Sequence, residues 1–242
     1  MKVIGLTGGI SCGKSVCSRH ILDNYPNVYI VDADLIARSG LDPGNKPYKT
    51  VVDYFEKTYR DPVTQKHIDV LNQDGTVNRP LLGKLVFEHQ HVRRMINKAT
   101  HGYILKEMLS SILKHWRIKD LFSSSDSEPI VIVDAPLLYE TYWFSLLCSK
   151  IIVVETSEEN QLKWLTERNN LTQEDAQNRV NSQMPLIKKI EKADYVISNR
   201  NSIEHFKQEA DRVFQKAVKE SRTFNIVFAI ICSILLFFVK LF

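Results

Sequence analysis

The sequence predicts an α/β fold built on a parallel sheet, and three observations carry that prediction. Short apolar runs rich in Val and Ile alternate along the chain with helix-length amphipathic segments. The centres of these runs are apolar on both faces, as in strands covered on both sides rather than strands with one wet face. The first run breaks into a glycine-rich loop that opens directly into a helix. Five parallel strands are expected, joined by right-handed crossovers and flanked by helices on both faces.

Taken in order, "KVIGL" (2–6) is the first strand, and "KSVCSRHILDNY" (14–25) is a helix with Val16, His20, Ile21 and Tyr25 at helical spacing. "NVYIVDAD" (27–34) reads as a second buried strand ending in two acids. Pro43, Gly44, Asn45 and Pro47 interrupt the chain before a helix at "YKTVVDYFEKTY" (48–59), and a polar insertion with an Asp74–Gly75 turn follows. From Arg79 to Asp120 the pattern is largely helical, and "LFSSSDSEP" (121–129) is a serine-rich loop. Strands return at "PIVIVDAP" (129–136), "SKIIVVET" (149–156) and "ADYVISN" (193–199). Between the last two lie the charged helix "EENQLKWLTERNN" (158–170) and the segment "TQEDAQNRVNSQMP" (172–185). The helix "SIEHFKQEADRVFQKAVKES" (202–221) carries an apolar stripe of Ile203, Phe206, Ala210, Val213, Phe214 and Ala217.

The 242 residues are 44% hydrophobic and 25% charged, an ordinary globular balance that suits one or two domains with a full core. A formal net charge of +4 suits anionic substrates and is too weak to argue for nucleic acid as a partner. Cys12, Cys17, Cys148 and Cys232 form no CxxC pair and match no zinc spacing, so they read as buried thiols of a reducing compartment. "MKVIGL" is too short for the apolar region of a signal peptide. At the other end, Phe224–Phe242 would reach about 28 Å as a helix, near the thickness of a bilayer core. Lys216, Lys219 and Arg222 flank it with positive charge. The expectation is therefore a domain over 1–222 followed by a C-terminal transmembrane helix at 223–242. That helix would anchor a cytosolic domain to lipid of the endoplasmic reticulum or mitochondrial outer membrane. A buried C-terminal helix or an oligomer contact is the alternative.

"GGISCGKS" fits G-x-x-x-x-G-K-[ST] between a strand and a helix. Backbone N–H groups of Gly8, Gly9, Ile10, Ser11, Cys12 and Gly13 would wrap phosphate oxygens, and the following helix adds its dipole. Lys14 would neutralise the outer phosphates of ATP, and the Ser15 hydroxyl would sit on Mg²⁺. A guanine switch would need Asn-Lys-x-Asp after a strand, whereas "EKAD" (191–194) has Glu191 in the Asn position and precedes a strand. Asp32 and Asp34 fall at the carboxyl end of the second strand, where ligands of open α/β sheets gather. Asp34 suits a base accepting a hydroxyl proton, with a helix N-cap as the alternative, and Asp32 suits placement of Mg²⁺ or water. Asp134 adds a third carboxylate at another strand end.

"GLTGGISCGKS", "VDADLIAR", "GTVNRPLLGKLVF", "DAPLLYE", "RVNSQMP" and "KADYVISN" together resemble the successive signature blocks of the dephospho-coenzyme A kinase family, in that family's order over residues 5–199. The resemblance implies a nucleoside-monophosphate-kinase-like fold with a lid at about 158–184. It also implies ATP-dependent phosphorylation of the ribose 3′-hydroxyl of dephospho-CoA, with room for association with other CoA-pathway enzymes. By the same resemblance Asp34 is the general base, Arg38 and Arg79 serve the acceptor side together with Asp134, Arg168 is the lid arginine, and Asn199 lies at the adenine end of ATP. Ser11 departs from the family's usual glycine, and Gly102 stands where a His-Pro pair is common. Another kinase of the same fold, or a membrane-bound nucleotide-binding scaffold without turnover, are the alternative functions.

Overall fold

The computed structural model describes residues 1–61, 65–115 and 128–222. Two compact units divide them: Met1–Asp32 with the chain from Ser111 onward, and Ala33–Ser110.

The first unit is a five-stranded parallel sheet in the order β2-β3-β1-β4-β5. Its strands are β1 (Lys2–Gly8), β2 (Val28–Asp32), β3 (Ile130–Asp134), β4 (Lys150–Glu155) and β5 (Tyr195–Ser198). β1 is the centre: the chain leaves it to reach β2 on one side and later fills β4 and β5 on the other. The carboxyl end of β1 is thus a topological switch point, where open α/β sheets bind ligands. Helices α1 (Lys14–Asn24) and α10 (Ile203–Glu220) share one core with the sheet. Phe206, Ala210, Val213, Phe214 and Ala217 of α10 are buried against Ile4, Leu6, Ile152 and Ile197, while Ile203 of the expected stripe is 44% exposed. On α1 the inward face is Cys17, Ser18 and Ile21, and Val16 points outward.

The second unit is helical, with α2 (Ala33–Gly40), α3 (Lys46–Lys57), α4 (Arg79–Glu88) and most of α5 (Gln90–Lys114). Val51, Phe55, Tyr59, Leu82, Leu85 and Val92 form its own core. α5 runs unbroken through Gly102, where the imino ring of a proline would remove a helical hydrogen bond. The remaining helices belong to the first unit: α6 (Tyr142–Leu146), α7 (Glu158–Asn169), α8 (Gln173–Asn181) and α9 (Leu186–Lys192).

Two expectations are corrected. β2 ends at Asp32, so Asp34 is not a strand-end residue and not an N-cap; it is an acid in the first turn of α2. An acid there is stabilised by the positive end of the helix, which favours helix over a longer strand. The expected transmembrane helix, and the membrane anchoring that depended on it, are also not borne out. Among the described residues no helix is long and apolar enough to cross a membrane. α10, the last described helix, is amphipathic, with an apolar face on the sheet and a charged face opposite. The segment 223–242 lies outside the described residues, as do residues 116–127, which hold the end of the expected helical run and most of the serine-rich loop.

Candidate active site

The phosphate loop grows out of the last residue of β1. Gly8 is buried where a Cβ would stand 2.5 Å from the Val154 carbonyl oxygen of β4, so only glycine lets the two strands close together here. Gly13 turns the chain into α1 with φ 92, and an added Cβ would collide with the Asn199 amide. Ser11 holds φ 58, a left-handed conformation that explains why glycine is usual at this point of the loop and that narrows the loop's freedom. Side chains cap the N-termini of α4, α7, α8 and α10, whereas α1, like α3, α6 and α9, has no side-chain cap, and it alone of these follows the glycine loop at Gly13. Its first N–H groups and its dipole, at the end of a glycine loop, suit an anion.

Charge at this end of the sheet is arranged by strand register. Asp32 of β2 and Asp134 of β3 are registered partners, and Leu6 of β1 is registered with Asp134 on the other side. Lys14 reaches from the start of α1 to pair with Asp134, both side chains being largely buried. Burial pushes the Asp134 carboxyl above the usual carboxylate range, Lys14 pulls it back, and the neighbouring Asp32 adds an upward push. Ser15 is exposed in the first turn of α1. Asp32 and Asp134 thus end neighbouring strands, and Lys14 and Ser15 open α1, with Lys14 on Asp134.

Asn199 lies just after β5, and its amide nitrogen donates to the Cys12 carbonyl at 3.0 Å. The Thr156 hydroxyl donates to the Asn199 carbonyl at 2.6 Å, tying the ends of β4 and β5 to the loop. Arg168 is exposed in the last turn of α7 and bonds Asn169 at 3.0 Å. In the helical unit, Asp34 and Arg38 are one turn apart on α2 and both exposed. Arg79, at the start of α4, donates to the Arg38 carbonyl at 3.3 Å and to Asp42 at 2.9 Å, so this unit brings Arg79 beside the end of α2.

Other residues at the loop have no counterpart among the sequence-predicted ones. Gln161 of α7 is buried and donates to the Ile10 carbonyl at 2.9 Å and to the Cys12 sulfur at 3.2 Å. A polar residue one turn before buried Leu165 was the available signal, since it puts an amide on the helix's inward face. Glu155, buried at the end of β4, takes a bidentate contact from Arg200, its shortest bond being 2.7 Å. A cleft of about 600 Å³ beside Gly9 and Ile10 is lined by Gln161, Asn181, Gln183 and Met184 among others.

The loop's thiol is quiet. Burial pushes Cys12 up to about 11 and Cys17 up to about 12, and lifts Cys148 as well. These three cysteines are therefore expected to resist iodoacetamide at pH 8 in the native protein and to react promptly once it is unfolded. Peptide mapping after alkylation reads each thiol separately; rapid native labelling of Cys12 would contradict the buried loop.

The family model for dephospho-CoA kinase matches residues 2–205. A dephospho-CoA kinase of Listeria monocytogenes is 37% identical over 218 residues, covering 90% of this chain and 98% of that protein. One from Arabidopsis thaliana is 38% identical over 213 residues, covering 88% and 82% respectively. Among solved structures, a dephospho-CoA kinase from Campylobacter jejuni matches with a TM-score of 0.58 at 27% identity, covering 90% of this chain and 98% of that one.

Proposed function

The chain belongs to the dephospho-CoA kinase family, and on that premise we propose how its residues divide the reaction. The enzyme transfers the terminal phosphoryl group of ATP to the ribose 3′-hydroxyl of dephospho-CoA, the last step of coenzyme A synthesis. The kinase domain spans 1–222, with a lid at about 158–184. Its division of labour rests chiefly on one observation: an uncapped helix start, Lys14 and two registered carboxylates share the sheet edge at the switch point.

Backbone N–H groups from Gly8 to Gly13 and the start of α1 bind the triphosphate, while Lys14 spreads the charge of the moving phosphoryl group. Asn199 holds the loop from the adenine end, its amide on the Cys12 carbonyl. Arg168, at the exposed end of α7, supplies a further cation when the lid closes and water is excluded. On the acceptor side Arg38 and Arg79 bind the pyrophosphate of dephospho-CoA, and Asp134 helps to hold the acceptor. Asp34 takes the 3′-hydroxyl proton late, because phosphoryl transfer depends mainly on positioning and charge.

Ser15 and Asp32 offer hard oxygen donors that fit Mg²⁺. Among the described residues no group of three or more His, Cys, Asp or Glu side chains forms a metal cluster. The ion would thus be held by these two residues together with substrate phosphates, the usual manner for Mg²⁺ in kinases. When bound, it screens phosphate charge.

Incubating the purified protein with MgATP and dephospho-CoA is expected to yield coenzyme A and ADP, read by mass spectrometry. A clear preference for another acceptor would reassign the substrate, and ATP binding without any product would leave a scaffold.

A further inference from the structure

Helix α9 carries Lys188, Lys189 and Lys192, and one of them is placed against the pattern: Lys189 is fully buried while Ile187 on the same helix is 60% exposed. The Lys189 ammonium donates to the Pro136 carbonyl at 2.6 Å and to the Gly8 carbonyl at 3.4 Å, and pairs with Glu140 at 3.0 Å. Two of its N–H donors go to backbone carbonyls, and the Glu140 carboxylate stands beside it as the counter-ion. Buried ammonium groups are tolerated when hydrogen-bonded and paired in this way, but an apolar side chain fills such a space without giving up hydration. Core filling alone therefore does not account for a lysine at this position. Its two carbonyl acceptors and its carboxylate partner do.

Gly8 is the first residue of the phosphate loop, and its carbonyl shares a rigid peptide plane with the Gly9 N–H. A bond that holds the carbonyl therefore also aims the N–H. Pro136 stands two residues beyond Asp134, the partner of Lys14, and its carbonyl also accepts from the Thr7 hydroxyl at 3.1 Å. Glu140 accepts the Met184 N–H at 3.0 Å through the same oxygen that pairs with Lys189, at the point where the chain returns from α8 to α9. One buried cation thus joins the root of the phosphate loop, the segment after Asp134 and the end of the proposed lid.

We propose that Lys189, backed by Glu140, is a positioning residue for ATP: it orients the first peptide of the phosphate loop and fixes the base of the lid. This role rests on the kinase reading above. The test compares wild type with Lys189→Met, Glu140→Ala, Glu140→Gln and the double variant Lys189→Met/Glu140→Ala. Each is scored per folded molecule for kcat, KM for ATP and KM for dephospho-CoA. Lys189→Met is expected to raise the KM for ATP about tenfold and lower kcat, with the KM for dephospho-CoA within about twofold. Glu140→Ala should shift the same constants less, and Glu140→Gln, which keeps an acceptor oxygen, should return toward wild type. The double variant should fall short of the summed effects, because the two side chains act as a unit.

Unchanged kcat and KM for ATP with only a lower melting temperature would make Lys189 a stability residue and overturn the proposal. If Lys189→Met does not fold, Glu140→Ala decides: a wild-type KM for ATP overturns the proposal, and a raised one rescued by Gln supports it. If wild type forms no coenzyme A, the kinase reading fails separately. The equilibrium Kd for ATP then decides the positioning role, weakened in Glu140→Ala if it holds and unchanged if it does not.

Discussion

Replacing Lys14 with alanine is expected to lower kcat on the order of 10³-fold while leaving the protein folded, because the ammonium acts on phosphate charge and fills no core space. The side effect falls on Asp134. In the native protein Lys14 and Asp134 pair with side chains 14% and 4% exposed, and burial already raises the Asp134 carboxyl. A carboxyl whose folded pKa lies above its unfolded value contributes stability that is present at low pH and lost as pH rises through the folded pKa. Without Lys14 that pKa climbs further, so the loss extends to higher pH. Lys14→Ala should therefore melt close to wild type at acid pH and fall progressively below it as the pH rises. Thermal melts as a function of pH, alongside single-turnover assays, check both statements. Near-normal turnover would remove Lys14 from the reaction, and a melting deficit independent of pH would break its link to Asp134.

Asp34→Asn is expected to reduce kcat by on the order of 10²-fold or more while the KM for ATP changes little. An amide keeps the shape of the carboxylate but takes no proton from the 3′-hydroxyl. Its site favours a clean reading. Asp34 is exposed in the first turn of α2, where losing its charge costs about 0.3–1 kcal/mol of helix stability through the dipole. Steady-state kinetics with both substrates, and a kcat profile against pH that loses its acidic limb, test the assignment. If ATP affinity collapses while residual turnover is unimpaired, Asp34 organises metal or structure instead.

The two predictions differ in how directly the sequence led to them. Lys14 follows from a local pattern, since loop, lysine and helix start lie within eight residues, Gly8–Ser15. Asp34 was placed in the right segment but in the wrong element, because "VDAD" continues an apolar run that says nothing of where the chain turns helical. The C-terminal run at 223–242 lies outside the described residues. It suggested a membrane span by length and composition, and no such helix is found among the described residues.

By itself the sequence determined the five strands, the helices α1, α3, α4, α5, α7 and α10 and the phosphate loop, while α2, α6, α8 and α9 were not among its expectations. Each expected element depends on neighbours within a few residues: the spacing of apolar side chains, or glycines where φ turns positive. Only the tertiary structure decided the strand order that registers Asp32 with Asp134, and the reach of Lys14 across 120 residues to pair with Asp134. It alone put Gln161 and Lys189 inside. The local pattern of "LIKKIEK" would bury its isoleucines and expose its lysines, yet Ile187 lies outward and Lys189 is buried. What reverses the pattern is a set of carbonyls and a carboxylate from Gly8, Pro136 and Glu140, the first of them 181 residues away. A buried charge is stable only where such acceptors converge, and their convergence is a property of packed strands and loops rather than of the seven residues of the helix.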